Sequence, residues 1–64
     1  MMYQQQLALI KKAGDYNSGQ MEILINAIKT EPSGMRHKVV AAIIHDKILE
    51  GKDFQSIIDW LSIR

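Results

Sequence analysis

The sequence predicts a small all-α protein, a single domain over residues 1–64 built as a bundle of about four short helices. The chain has 64 residues, fewer than a typical domain, so one folding unit is expected. Apolar residues make up 47% of it, a composition that favours a folded core over disorder. They recur at helical spacing between three breaks, which predicts two helical hairpins, 2–30 and 35–63.

The first helix is predicted over residues 2–13. Tyr3, Leu7 and Ile10 follow the i, i+4, i+7 spacing of one helix face. Gly14 stands where a C-terminal cap is expected, because glycine adopts the left-handed conformation readily.

The second helix is predicted over residues 19–30, after a turn-forming stretch at 14–19 with Ser18 as its cap. Its apolar positions match the i, i+3, i+4, i+7 template completely. These positions are Met21, Leu24, Ile25 and Ile28.

The third helix is predicted over residues 35–50, after a break at Pro32 in which Ser33 supplies a cap and Gly34 a flexible joint. Its apolar residues form one stripe with further residues widening it, so we expect neighbours on more than one side. The stripe comprises Met35, Val39, Ala42, Ile43 and Ile48, and the widening residues are Val40, Ile44 and Leu49.

The last helix is predicted over residues 53–63, because Gly51 ends the third helix and Asp53 caps the fourth. Its apolar face consists of Phe54, Ile57, Ile58 and Leu61. A small mixed fold is the alternative, because Ile and Val favour strands, but strict alternation and Asn-Gly or Asp-Gly turns are absent.

Composition and motifs argue against several classes of function. The eight Lys and Arg residues nearly balance seven acidic ones, so neither half is a basic arm or an acidic tail. There is no cysteine for thiol catalysis, and residues 1–6 lack the basic start of a secretory signal. His37 and His45 have no ligating neighbours at helical spacing. We therefore expect a soluble cytoplasmic protein that is no enzyme, has no metal or cofactor and does not bind membranes.

One short segment has a more specific chemistry. Ser33, Gly34, Arg36 and Lys38 gather free amides and two cations in the first turn of the third helix. Cations there oppose the helix dipole, so a bound phosphate or a partner's carboxylate would compensate them. The sequence predicts an anion-binding site at these four residues.

Residues 48–63 resemble the first half of a helix-turn-helix DNA reader, with an apolar helix, a glycine turn and a capped helix ending in Leu-x-Ile. The resemblance implies a nucleic-acid-binding regulator that acts as a dimer, which is the alternative function. If the last helix were the reader, its exposed positions would offer no basic group to a phosphate backbone. These positions are Gln55, Ser56, Asp59 and Ser62.

The excess of apolar side chains for so short a chain favours an interaction protein. Tyr3, Trp60 and Ile63 lie off the main apolar faces or near a helix start and are predicted to contact a partner. The predicted function is a small helical adaptor, inhibitor or chaperone-like protein. It would bury an apolar surface by self-association or by binding another protein's helix.

Overall fold

The computed structural model describes residues 3–64, which form four α-helices and no strand. The helices are α1 (Gln4–Gly14), α2 (Ser18–Lys29), α3 (Gly34–Leu49) and α4 (Phe54–Ile63). The predicted all-α fold class is confirmed, and the helix boundaries agree to within two residues. The expected start of the first helix at Met2 lies outside the described residues.

The turn between α1 and α2 differs in detail from the prediction. Gly14 is the last residue of α1, and the left-handed cap is Asp15 at φ 53°. Aspartate tolerates this conformation because its short side chain can bond locally. Asn17, not Ser18, caps α2: its side chain accepts from the Gln20 amide at 2.8 Å, and the Gln20 side chain accepts from the Asn17 amide at 3.1 Å.

The starts of α3 and α4 follow the predicted caps. The Ser33 hydroxyl accepts from the Arg36 amide at 3.2 Å, and the Asp53 carboxylate accepts from the Ser56 amide at 2.8 Å. Gly51 ends the turn after α3 at φ 92°, a conformation that a residue with a side chain rarely adopts. The hydrogen bonds from Ser56 hold the pKa of the Asp53 carboxyl below its ordinary value of 3.8, because they favour the charged carboxylate.

One contiguous core collects apolar side chains from all four helices and from the α1–α2 turn. The closest packing lies between α1 and α3, and therefore joins the two predicted hairpins to each other. The buried residues are Tyr3, Leu7, Ile10, Tyr16, Met21, Leu24, Ile28, Val40, Ala41, Ile44 and Ile57.

Tyr16 is a core residue that periodicity could not identify, because it belongs to no helix. Its ring packs edge-on against Phe54, with centroids 5.2 Å apart. The ring also lies so close to Gly14 that a side chain there would overlap it. Burial, and secondarily the Asp53 charge, raise the pKa of the Tyr16 phenol.

The predicted stripe of α3 is only partly covered, since Ile43 and Ile48 are half-buried and Ile48 packs against the core. Met35, Val39 and Ala42 are exposed, whereas the buried residues of α3 are Val40, Ala41 and Ile44. The apolar residues nearly encircle this helix, so periodicity alone did not define which side meets the core.

Candidate protein-interaction surface

The most extensive exposed apolar surface on one helix runs along the outside of α3. We define the outer stripe as Met35, Val39, Ala42, Asp46 and Leu49, at i, i+4, i+7, i+11 and i+14. Met35 is 76% exposed, Leu49 67% and Val39 40%. This 4-3-4-3 spacing is the one by which helices meet along a seam.

The outer stripe lies opposite the core on α3. At about 100° per residue, its centre lies roughly 180° around the helix from Ile44, which is fully buried. The structure therefore leaves one whole side of an apolar helix without a neighbour from the described chain. Asp46 is the one charged residue within the stripe.

Charges of opposite sign stand at the two ends of this surface. Arg36 and Lys38 are exposed in the first two turns of α3, and Glu50 is exposed at its C-terminal cap. Each of these charges opposes the dipole of its own helix, because cations are favoured at helix C-termini and anions at N-termini.

The four predicted anion-binding residues lie together at the start of α3, but fewer of their groups are free to bind an anion than expected. Ser33 uses its hydroxyl to cap the Arg36 amide, so that amide is not free for a ligand. Glu31 pairs with the Arg64 guanidinium and leaves Arg36 and Lys38 without this neutralising partner. Gly34 precedes them as the first residue of α3. Anion binding here stays a prediction.

Tyr3 was predicted to contact a partner, but its side chain lies in the core of the described chain, and its contact role stays a prediction. The side chain is only 4% exposed, and its ring packs edge-on against His37 with centroids 5.4 Å apart. His37 is fixed in turn by a 2.9 Å hydrogen bond between its Nε2 and the Glu31 carbonyl. The residue's place near the N-terminus suggested accessibility, whereas the burial comes from packing of α1 on α3.

Trp60 and Ile63, the other two predicted contact residues, differ in accessibility. Ile63 is 83% exposed. Trp60 is partly buried, and two cations of its own chain approach its ring, Lys47 Nζ at 5.0 Å and Arg64 at 5.2 Å from the centroid. These contacts give Trp60 a role in holding the end of α4, and the contact role of both residues stays a prediction.

An open groove of about 650 Å³ lies between α1 and α2. Leu7 and Met21 contribute apolar floor, and charged side chains of both signs stand at its rim. The sequence did not predict the groove, because its width depends on the distance and angle between α1 and α2. Its lining residues are Gln4, Leu7, Ala8, Lys11, Ser18, Met21, Glu22, Ile25, Asn26 and Lys29.

The outer face of α4 has no basic residue. Gln55, Ser56, Asp59 and Ser62 are exposed as expected, and the Gln55 amide donates to the Asp59 carboxylate at 2.9 Å. This surface offers acidic and neutral groups, which do not attract a phosphate backbone.

Comparison with known proteins gives no relative for this chain: no protein family, no curated protein and no solved structure matches it. Within residues 3–64, no three His, Asp or Glu side chains lie close enough together to hold a metal ion. None of the four helices combines the length and apolar character needed to cross a membrane.

Proposed function

We propose that this chain is a small helical protein–protein interaction module that works in the cytoplasm as an adaptor, inhibitor or chaperone-like partner. It acts by burying the outer stripe of α3 against another protein surface, through self-association or partner binding. The supporting observation is the stripe itself, four apolar residues in register along one exposed side of a 16-residue helix.

Burial of this surface supplies the free energy of association. Removing apolar area from water stabilises a complex by roughly 25 cal/mol per Å² before the costs of association are subtracted. Methionine adds adaptability, because its flexible thioether fits differently shaped partner surfaces. Met35, the most exposed residue of the stripe, is of this kind.

A photo-crosslinking experiment tests this proposal. A benzoylphenylalanine at Ala42, in the middle of the outer stripe, should form covalent adducts when the full chain is irradiated alone at high concentration or in cell extract. The matched control places the same group at Gln55, which is exposed among polar residues of α4.

The masses of the adducts separate the two modes of binding. A product of twice the chain's mass indicates self-association. A product of any other mass above that of the chain, formed from Ala42 and not from Gln55, indicates another protein. Equal labelling from both positions, or none from Ala42, contradicts the proposal.

A further inference from the structure

We infer that the occupant of the outer stripe is a second copy of this chain, with the two α3 helices lying antiparallel. This inference rests on the proposed function and identifies its partner. It is carried by the two charges on one flank of the outer stripe, Arg36 and Glu50, which complement those of a second copy in the antiparallel orientation.

Arg36 and Glu50 are the residues that define this orientation. They are 14 residues apart, which places them about 40° apart around the helix and about 21 Å apart along its axis. Both are exposed, and both lie on the same flank of the outer stripe. An antiparallel copy brings Arg36 of each chain beside Glu50 of the other, whereas in a parallel copy each Arg36 stays about 21 Å along the axis from the other chain's Glu50 and gains no opposite charge.

The same pairing relieves the unfavourable electrostatics of each helix. Within one chain, Arg36 stands at the positive end of the α3 dipole and Glu50 at the negative end. In an antiparallel pair each of these charges gains an opposite charge from the other chain, and the two helix dipoles also oppose each other. The two contacts are equivalent by two-fold symmetry, as expected for a dimer in which both copies use the same patch.

The shape of the stripe suits this partner. Ala42 lies near its middle and lets the two helix axes approach closely, while Met35, Val39 and Leu49 supply apolar contact toward the ends. Asp46 interrupts the apolar surface and limits the strength of the contact, as single polar residues do in helix seams. A 16-residue helix offers a face about 24 Å long and about 10 Å wide, well below the roughly 800 Å² per partner of a standard interface, so the dimer should form only at high protein concentration.

Charge reversal at Arg36 and Glu50 tests the orientation. Sedimentation equilibrium of the full chain should show a monomer–dimer equilibrium that R36E and E50R each weaken by about tenfold. The double variant R36E/E50R should recover the native Kd, because it restores both pairs with their signs exchanged. Since the two positions are about 21 Å apart in one chain, recovery requires contact between chains.

The variants are expected to remain folded. Each single reversal places a favourable charge at its own helix end, so the isolated chain should gain rather than lose helicity by circular dichroism. Lys12→Glu makes the same change of net charge as R36E at an exposed site on α1 and should leave the Kd within about twofold of native.

The outcomes distinguish this inference from the proposed function. A chain that stays monomeric at about 1 mM, or a double variant that dimerises no better than the singles, overturns the antiparallel copy. In either case a heavier crosslink from Ala42 to another protein still supports the proposed interaction role. Loss of both the dimer and all crosslinks contradicts the two proposals together.

Discussion

The two sides of α3 have nearly the same chemistry and very different surroundings. Val40, Ala41 and Ile44 on the inner side are at most 1% exposed, whereas Met35 and Leu49 on the outer stripe are 76% and 67% exposed. The contrast shows that an apolar side chain contributes to the fold only where another element covers it. The same composition on the uncovered side is available for association.

The largest expected effect separates the two sides directly. Ile44→Ala should destabilise the fold by about 3 kcal/mol, because it removes buried methylene groups and leaves a cavity between α1 and α3. Leu49→Ala should change the stability of the monomer by less than about 0.5 kcal/mol, because Leu49 is already largely hydrated. Urea unfolding at low protein concentration measures both, and equal losses would contradict the contrast.

A pair of neighbouring alanines provides a finer comparison. Ala41 is fully buried and Ala42 is exposed. Ala41→Leu should cost about 1–3 kcal/mol, because the core has no room for three more carbon atoms. Ala42→Leu should leave the unfolding free energy of the dilute monomer nearly unchanged. If thermal melts place Ala42→Leu below Ala41→Leu in stability, the assigned orientation of α3 is incorrect.

The sequence was sufficient to predict the four helices, but it was insufficient to predict which side of α3 meets the core. The caps Ser33 and Asp53 and the stop at Gly51 are local features, determined by hydrogen bonds and backbone conformation within a few residues, and the structure contains all three. In α2 the polar residues leave one apolar side, so the core face was unambiguous. In α3 they do not, and the choice of side depends on how α1 packs across it.

The interaction surface could be predicted in kind but not in place. Excess apolar composition indicated an exposed apolar surface, and one exists. Tyr3, expected at a contact, is buried because α3 covers it through His37. Ile63 is exposed as expected, and so are Met35 and Leu49, for which the sequence predicted neighbouring elements. These assignments require distances between helices, which spacing along the chain does not contain.

The N-terminal cap of α3 supports the whole helix, so its removal should change the free energy of unfolding by an intermediate amount. Ser33→Ala removes the acceptor of the Arg36 amide and should destabilise the fold by about 1 kcal/mol. Ser33→Asp keeps an acceptor at the same position and should retain most of that stability. Both are measured by urea unfolding, and a Ser33→Asp variant as unstable as Ser33→Ala would show that the Ser33 contact is not a cap.

Acid should have the smallest effect on stability. It should weaken the cap of α4 and leave the cap of α3 unchanged. Asp53 caps α4 with a titratable group, and hydrogen bonds from Ser56 hold its pKa below 3.8. Its contribution to stability is therefore full above about pH 4 and is lost as the pH falls through the folded pKa. Ser33, the cap of α3, has no charge to lose.

NMR amide shifts followed from about pH 6 to about pH 2 measure this difference. The Ser56 amide should shift as its acceptor is protonated, while the Arg36 amide stays nearly constant. Asp53→Asn keeps a capping acceptor without a titration, so the Ser56 transition should disappear in that variant. A transition of equal size in the native and Asp53→Asn proteins would mean that protonation of another group causes it. The caps of α3 and α4 would then not differ in their response to acid, as the hydroxyl of Ser33 and the carboxylate of Asp53 require.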